Sequence, residues 1–147
     1  MKIFKIKTEI NAPFDKVWNG FGEKLFNALQ PSFPATEVLR FDGCNIGDVV
    51  ETNIKFFGIK QPFYAVIIDN AVNAQQACFT DIGTKLPFFL KAWQHKHIIS
   101  SAGENTSIIT DEIHFASWNK VAEAFLLPVI YGQLYMRKPV YRKFFQQ

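Results

Sequence analysis

From Lys2 to Ile10 the chain alternates: Ile3, Lys5, Lys7 and Glu9 fall on one side, Phe4, Ile6, Thr8 and Ile10 on the other. That is a strand with one buried face, defined by Phe4, Ile6 and Ile10. Asn11-Ala12-Pro13 then sets up a helix start. Proline is tolerated in a first turn, and Asp15 lies where the helix dipole favours negative charge. A helix or helix pair is predicted over 13–29. Gln30-Pro31-Ser32-Phe33-Pro34 ends it, because each proline removes a donor and biases its predecessor to extended geometry.

The next stretch reads as six strands, near 36–41, 48–56, 62–69, 75–81, 88–100 and 106–115. Turn signals separate them: Asp42-Gly43, Phe57-Gly58, Asn70 to Asn73, Gly83 and Gly103-Glu104-Asn105. Connections this short imply an antiparallel meander. From Trp118 to Phe145, Val121, Phe125, Val129, Met136, Val140 and Phe144 recur at helical spacing. Pro128 and Pro139 interrupt the stripe, predicting either a kink or a short helix before a longer one that starts near Pro128. A sheet cannot bury its inner face alone, so the last helix is expected to lie across it. The expected fold class is α+β: a seven-stranded antiparallel curved sheet wrapped around a long C-terminal helix, with short helices after the first strand, enclosing an apolar pocket.

At 147 residues the chain suits one domain, 1–147, without room for a second. Phe alone accounts for 16 residues, enough to fill a large core or line a cavity. No apolar run approaches the ~20 residues of a membrane-spanning helix, and the first residues lack a signal-peptide pattern, so the chain is read as cytoplasmic. Cys44 and Cys78 have neither metal-ligand nor redox spacing and are read as reduced thiols. The net charge of +3 does not define a nucleic-acid partner. Its one concentration, Arg137, Lys138, Arg142 and Lys143, suits the last turns of a helix; contact with a protein or anionic membrane surface is the alternative.

Period-two geometry puts Phe89, Lys91, Trp93, His95, His97 and Ile99 on one face of the sixth strand, and Leu90, Ala92, Gln94, Lys96 and Ile98 on the other. Gln94 and Lys96 mark the second set as outward, so Trp93, His95 and His97 face the interior. In the next strand Ile109, Asp111, Ile113 and Phe115 form the apolar set, which brings Asp111 to the histidine row. Phe56, Phe63, Phe79, Phe89 and Trp93 can all be placed on inner faces, as core or as cavity lining. Trp18 is read as a packing anchor. Tyr131, Tyr135 and Arg137 could present a hydroxyl or guanidinium to a ligand, or lie solvated at the sheet edge. Asp81 is a further polar group for the pocket, or a turn residue.

The segments Ile10-Asn11-Ala12-Pro13-Phe14-Asp15-Lys16-Val17-Trp18, Phe56-Phe57-Gly58-Ile59 and Phe79-Thr80-Asp81 carry a resemblance. So do Trp93-Gln94-His95-Lys96-His97 and Thr106 to Ile113 with its Thr110-Asp111. Together they resemble the START-like superfamily, also called SRPBCC or Bet v 1-like, and within it an uncharacterised ligand-binding SRPBCC subgroup. Arg137 also looks like an arginine of that subgroup. The resemblance implies the helix-grip fold and a cavity for lipids, sterols, hormones or polyketides; some members catalyse cyclisation or ring hydroxylation. This sequence shows no two-His-one-carboxylate arrangement of the ring-hydroxylating kind.

Four readings compete for His95, His97 and Asp111: a hydrogen-bonded set fixing strand register, ligand anchoring, general acid/base work, and a metal site whose third ligand is not defined. The sequence therefore leads to binding or carriage of a small hydrophobic or amphipathic molecule, lipid- or polyketide-like, without cofactor or metal. A cofactor-independent cyclase, dehydratase or hydrolase using a cavity histidine is the alternative. Phosphate loops, nucleophile elbows and zinc-protease helices are absent.

Overall fold

The structure, a computed structural model, describes residues 1–32 and 34–146. Phe33, one of the residues expected to end the first helical segment, lies outside the described residues. The chain runs β1 (Lys2–Ile10), α1 (Phe14–Asn19), α2 (Glu23–Leu29), β2 (Ala35–Phe41), β3 (Val49–Phe56), β4 (Ile59–Val72), β5 (Gln76–Lys85), β6 (Ala92–Gly103), β7 (Thr106–Ala116), α3 (Lys120–Tyr135) and α4 (Arg137–Phe145). All seven strands form one antiparallel sheet in the order β1-β7-β6-β5-β4-β3-β2. The meander β2 to β7 ends beside β1, which pairs with β7 and forms the other edge of the sheet. Register shifts in β2 between Val38 and Arg40, in β4 between Ile67 and Asp69 and in β5 between Gly83 and Lys85 are bulges, which bend and twist a sheet.

The alternation in β1 is realised: Ile6, Thr8 and Ile10 are buried, whereas Ile3, Lys5, Lys7 and Glu9 are exposed. Two helices occupy 13–29, separated at Gly20-Phe21-Gly22. The break at Gly20 is a close approach, since a Cβ there would sit 2.4 Å from Phe145 Cε1. Phe21 turns inward, its ring within 6.2 Å of the Phe79, Tyr141 and Phe145 rings. Tyr141 and Phe145, with Ile10, Val17, Leu25, Ile99 and Ile109, form one half of the core, and Phe21 packs against it. The other half gathers Ile6, Leu90, Ile113, Phe115, Ile130 and Leu134. Each such side chain contributes about 1.5–3 kcal/mol by leaving water.

Three local expectations are corrected. The strand predicted from residue 88 starts at Ala92, because Pro87 to Lys91 form a turn closed by Leu90 N–H donating to Pro87 O at 3.0 Å. The turn inverts the phase before the strand: Leu90 is buried and Lys91 exposed, the reverse of their assignment. Gly83 is not a turn but a mid-strand position of β5, where a Cβ would meet Leu86.

The third correction concerns the helical stripe. Val121, Phe125, Val129 and Met136 are 68%, 77%, 55% and 65% exposed, and the face on the sheet is Leu126, Ile130 and Leu134, continued by Tyr141 and Phe145 in α4. The segment is apolar on both phases, so spacing alone could not select between them. The break falls at Met136, not Pro128. Proline at position 139 excludes the carbonyl of Tyr135 from a continuous helix, and in the first turn of α4 its missing N–H costs nothing. Among the described residues no helix is long and apolar enough to cross a membrane.

Candidate functional site

The site is built on three neighbouring strands. In register, Phe79, His97 and Asp111 form one row across β5, β6 and β7, and Asp81, His95 and Ile113 form the next. All point to the concave face, and the polar contacts run along the diagonals. His95 Nε2 meets Asp111 Oδ1 at 2.8 Å, and His97 Nε2 meets Asp81 Oδ2 at 3.2 Å. The rings of Phe79, His97 and His95 stack, with centroids 4.2 Å and 3.7 Å apart, and Trp93 stands edge-on to His95.

Asp111 is 1% exposed and lies behind the histidines. It also accepts the Tyr141 hydroxyl at 3.2 Å to each carboxylate oxygen. Burial raises its pKa, but the His95 hydrogen bond and the charges of His95, Arg137 and His97 outweigh this and bring it to about 2. Asp111 is thus an acceptor only, and His95 must present Nε2–H to it. Burial, then His97, pushes the His95 pKa down to about 4 against the opposing pull of Asp111, so this imidazole is neutral near pH 7. Its Nδ1 is then a bare lone pair to which no described residue donates. Tyr141 is held protonated by burial and by Asp111. The partly buried Arg137 keeps its charge: desolvation opposes it, but Tyr141, Asp111 and Asp81 more than compensate. His97 Nδ1 is buried without a hydrogen bond, 3.6 Å from Asp111 Oδ1.

A cavity of about 190 Å³ opens over this cluster. Phe79, Asp81, Trp93, His95, His97 and Arg137 line it, with Phe21, Leu25, Phe41, Ala65, Ile67 and Leu134 among its apolar walls. A second cavity of about 310 Å³, lined by Phe56, Phe89, Leu126, Val129 and Ile130, adjoins it. Ile54, Phe63, Trp93 and Gln133 line both. The Phe63 and Trp93 rings meet edge to face at 5.1 Å.

Most residues expected from the sequence come together. Phe56, Phe63, Phe79, Phe89, Trp93, His95, His97 and Arg137 line one cavity or the other, as does Asp81. Asp111 supports from behind. Trp18 packs on Phe21 and Phe79 in the core. Tyr131 and Tyr135 line neither cavity: they stack on each other at the surface, with Tyr131 against Phe4. The basic group does not form one face either. Arg137 turns into the cavity, while Lys138 Nζ and Arg142 Nε donate to the carbonyls of Lys7 and Glu9, tying α4 to the free edge of β1.

Tyr141 was missed. Its signal is the four-residue step from Arg137, which stacks both on one helix face. Asp81 is the third group that the sequence could not attach to the histidine pair: its donor atom and those of His95 and His97 lie within 4.8 Å of one another. Two His and one carboxylate are therefore adjacent after all, contrary to the sequence reading. Both Nε2 atoms are already bonded to carboxylates and the Arg137 charge reaches the same acids, so the described arrangement is a hydrogen-bonded network.

The architecture and its cavity define a helix-grip protein, and comparison with solved structures agrees. Norcoclaurine synthase from Thalictrum flavum, solved with dopamine and hydroxybenzaldehyde, matches at a TM-score of 0.70 and 13% identity over 97% of this chain and 84% of that one. The Zhui aromatase/cyclase of a Streptomyces species matches at 0.70 and 13%, over 97% and 92%. The Bet v 1-type allergen Ara h 8.0201 matches at 0.62 and 16%, over 99% of both chains. The chain thus has the fold of the Bet v 1-like, or START-like SRPBCC, superfamily, and at these identities the likeness is one of fold. No family model and no curated protein sequence matches it.

Proposed function

We propose that the protein binds a small amphipathic molecule, its apolar or aromatic body lying in the paired cavities and its polar end at Arg137, Asp81 and the histidine stack. The observation behind this reading is the asymmetry of the cavity wall. Apolar side chains make up most of it, and the ionisable groups Asp81, His95, His97 and Arg137 gather on one wall. Specific small-molecule sites are built this way, with a few placed polar groups fixing orientation inside an apolar cleft. The structural neighbours that hold small aromatic molecules or carry cyclase names are in keeping with it. Native mass spectrometry of protein isolated from its own cells tests the reading directly, through a co-purifying mass that Arg137→Met weakens. The fluorescent aromatic sulfonate ANS gives a simpler probe. Saturable binding at one site, weakened about tenfold by Arg137→Met, is expected for one lost charged contact of roughly 1.5 kcal/mol. Binding unchanged in Arg137→Met and in Ala65→Phe, which would fill the cavity, refutes it.

A second reading, proton transfer on a bound substrate, is favoured by the bare Nδ1 of His95 backed by ionised Asp111, the arrangement of an oriented base. It requires turnover with a pH profile that His95→Gln abolishes while the fold is retained. Turnover that survives this change removes it.

A further inference from the structure

Hydrophobic side chains of unusual exposure gather at the end of the molecule where the second cavity opens. Phe57 is 94% exposed, Phe88 62%, Trp118 57%, Val121 68%, Phe125 77% and Val129 55%. They come from the β3–β4 hairpin, the β5–β6 turn, the β7–α3 link (Trp118) and α3, and the contacts join these pieces. Phe56 of the hairpin meets Phe89 at 5.5 Å, Phe88 N–H donates to Gln61, and the Phe88 and Trp118 rings lie 6.0 Å apart. Val129, Phe56 and Phe89 all line the second cavity, so the patch is continuous with its wall. From Val121 to Met136 every exposed residue of the last helical segment is uncharged. A solvent-facing helix of this kind has a partner.

Charge indicates which partner. Residues 55–61, 85–91 and 118–129 contain five lysines, Lys55, Lys60, Lys85, Lys91 and Lys120, all exposed. Their one acid, Glu123, is 6% exposed and accepts from Ser117 N–H inside the protein. Glu37 reaches Lys55 and Lys60 from β2, leaving Lys85, Lys91 and Lys120 without an ion pair among the described residues, with Lys85 Nζ over the Tyr64 ring at 5.5 Å. Interleaved lysines and exposed aromatics match an anionic lipid surface, whose phosphates attract the cations while the rings enter the interface. Self-pairing would set five lysines against five across a two-fold axis. Phe57 adds a separate observation. It occupies a left-handed conformation, φ 47°, next to Gly58 at φ 81° in a two-residue hairpin that Asn-Gly would fill with less strain. A strained, fully exposed phenylalanine has a use outside the fold.

We infer that this face docks on anionic membranes and that the second cavity opens toward the lipid. The inference does not depend on what the cavities hold. It is tested by co-sedimentation with vesicles of phosphatidylcholine containing phosphatidylserine, against phosphatidylcholine alone. The wild type is expected to bind the anionic vesicles, with affinity falling steeply as salt rises. Lys91→Glu with Lys120→Glu, and separately Phe57→Asn with Phe125→Ser, should each reduce binding at least about tenfold. All four positions are exposed, so the variants should keep wild-type circular dichroism and wild-type ANS binding in the cavity. Equal binding to neutral and anionic vesicles, no vesicle binding, or a dimer in analytical ultracentrifugation that Phe125→Ser dissolves would each overturn the inference.

Discussion

The His95–Asp111 pair makes a prediction that can be worked from the structure: the protein should lose stability on mild acidification, and His95 should be the main reason. An unfolded histidine titrates near 6.5. In the folded protein His95 is buried against Asp111, Trp93 and His97 and its pKa is pushed down to about 4. As pH falls from about 6.5 to about 4 the unfolded chain takes up a proton at this residue and the folded chain does not, so unfolding is favoured throughout that window. A difference of roughly 2.5 pH units at 1.36 kcal/mol each makes the loss about 3 kcal/mol, complete near pH 4. Asp111 acts in the adjoining window. Its folded value of about 2 lies below the ordinary 3.8, so its contribution is present above 3.8 and is lost on descending to 2, about 2 kcal/mol more. The assay is urea denaturation of the wild type and of His95→Gln at a series of pH values between about 8 and 4. The variant is expected to start less stable but to show a shallower decline, the two curves converging by about 3 kcal/mol. Imidazole nitrogen shifts in the intact wild type provide a check that needs no variant: His95 should remain neutral at pH 5.5. Parallel curves, or a His95 charged at that pH, would refute the reasoning.

Other expectations follow from single contacts. Tyr141→Phe removes a buried hydroxyl that donates to both Asp111 oxygens and should cost about 2 kcal/mol in urea denaturation, with a rise in the Asp111 pKa visible by NMR. Gly20→Ala forces a methyl to within 2.4 Å of the buried Phe145 ring and should destabilise by about 1–3 kcal/mol, relieved by Phe145→Leu in the same chain. Asn119→Ala deletes the side chain that caps α3 through the Ala122 N–H at 2.9 Å, a loss of about 1 kcal/mol measurable as a lower Tm. Phe57→Asn should move the other way and raise stability by several tenths of a kcal/mol, because asparagine tolerates the left-handed conformation that phenylalanine adopts there.

The sequence was most legible where one face of an element is polar and the other apolar. In β1, β6 and β7 strict alternation assigns the inner face, and since a strand has only two faces, Trp93, His95, His97 and Asp111 could be placed before any tertiary information. Proline and glycine located the element ends to within a few residues, apart from Gly83, where the unpaired signal of a glycine is cancelled by strand pairing and the close approach of Leu86. The last helical segment was not legible. Residues 121–134 are apolar on two adjacent phases, and the choice between Phe125 and Leu126 as core residue depends on where the sheet presents its hollow. The same uncertainty concealed Tyr141 and the division of the basic residues between the cavity and the edge of β1.

Local order, the alternating faces and the presence of a histidine row on an inner strand were therefore determined by the chain alone, because they depend on near neighbours and on a period of two. Which carboxylate meets which imidazole was decided only by tertiary structure. Asp81, His95 and Asp111 come from three strands whose register is set by hairpin lengths and bulges, and a shift of one residue would have turned each to the other face. Arg137 and the exposed phenylalanines were decided at the same level: a helix apolar all round acquires an inside and an outside only when the sheet has closed on one side of it.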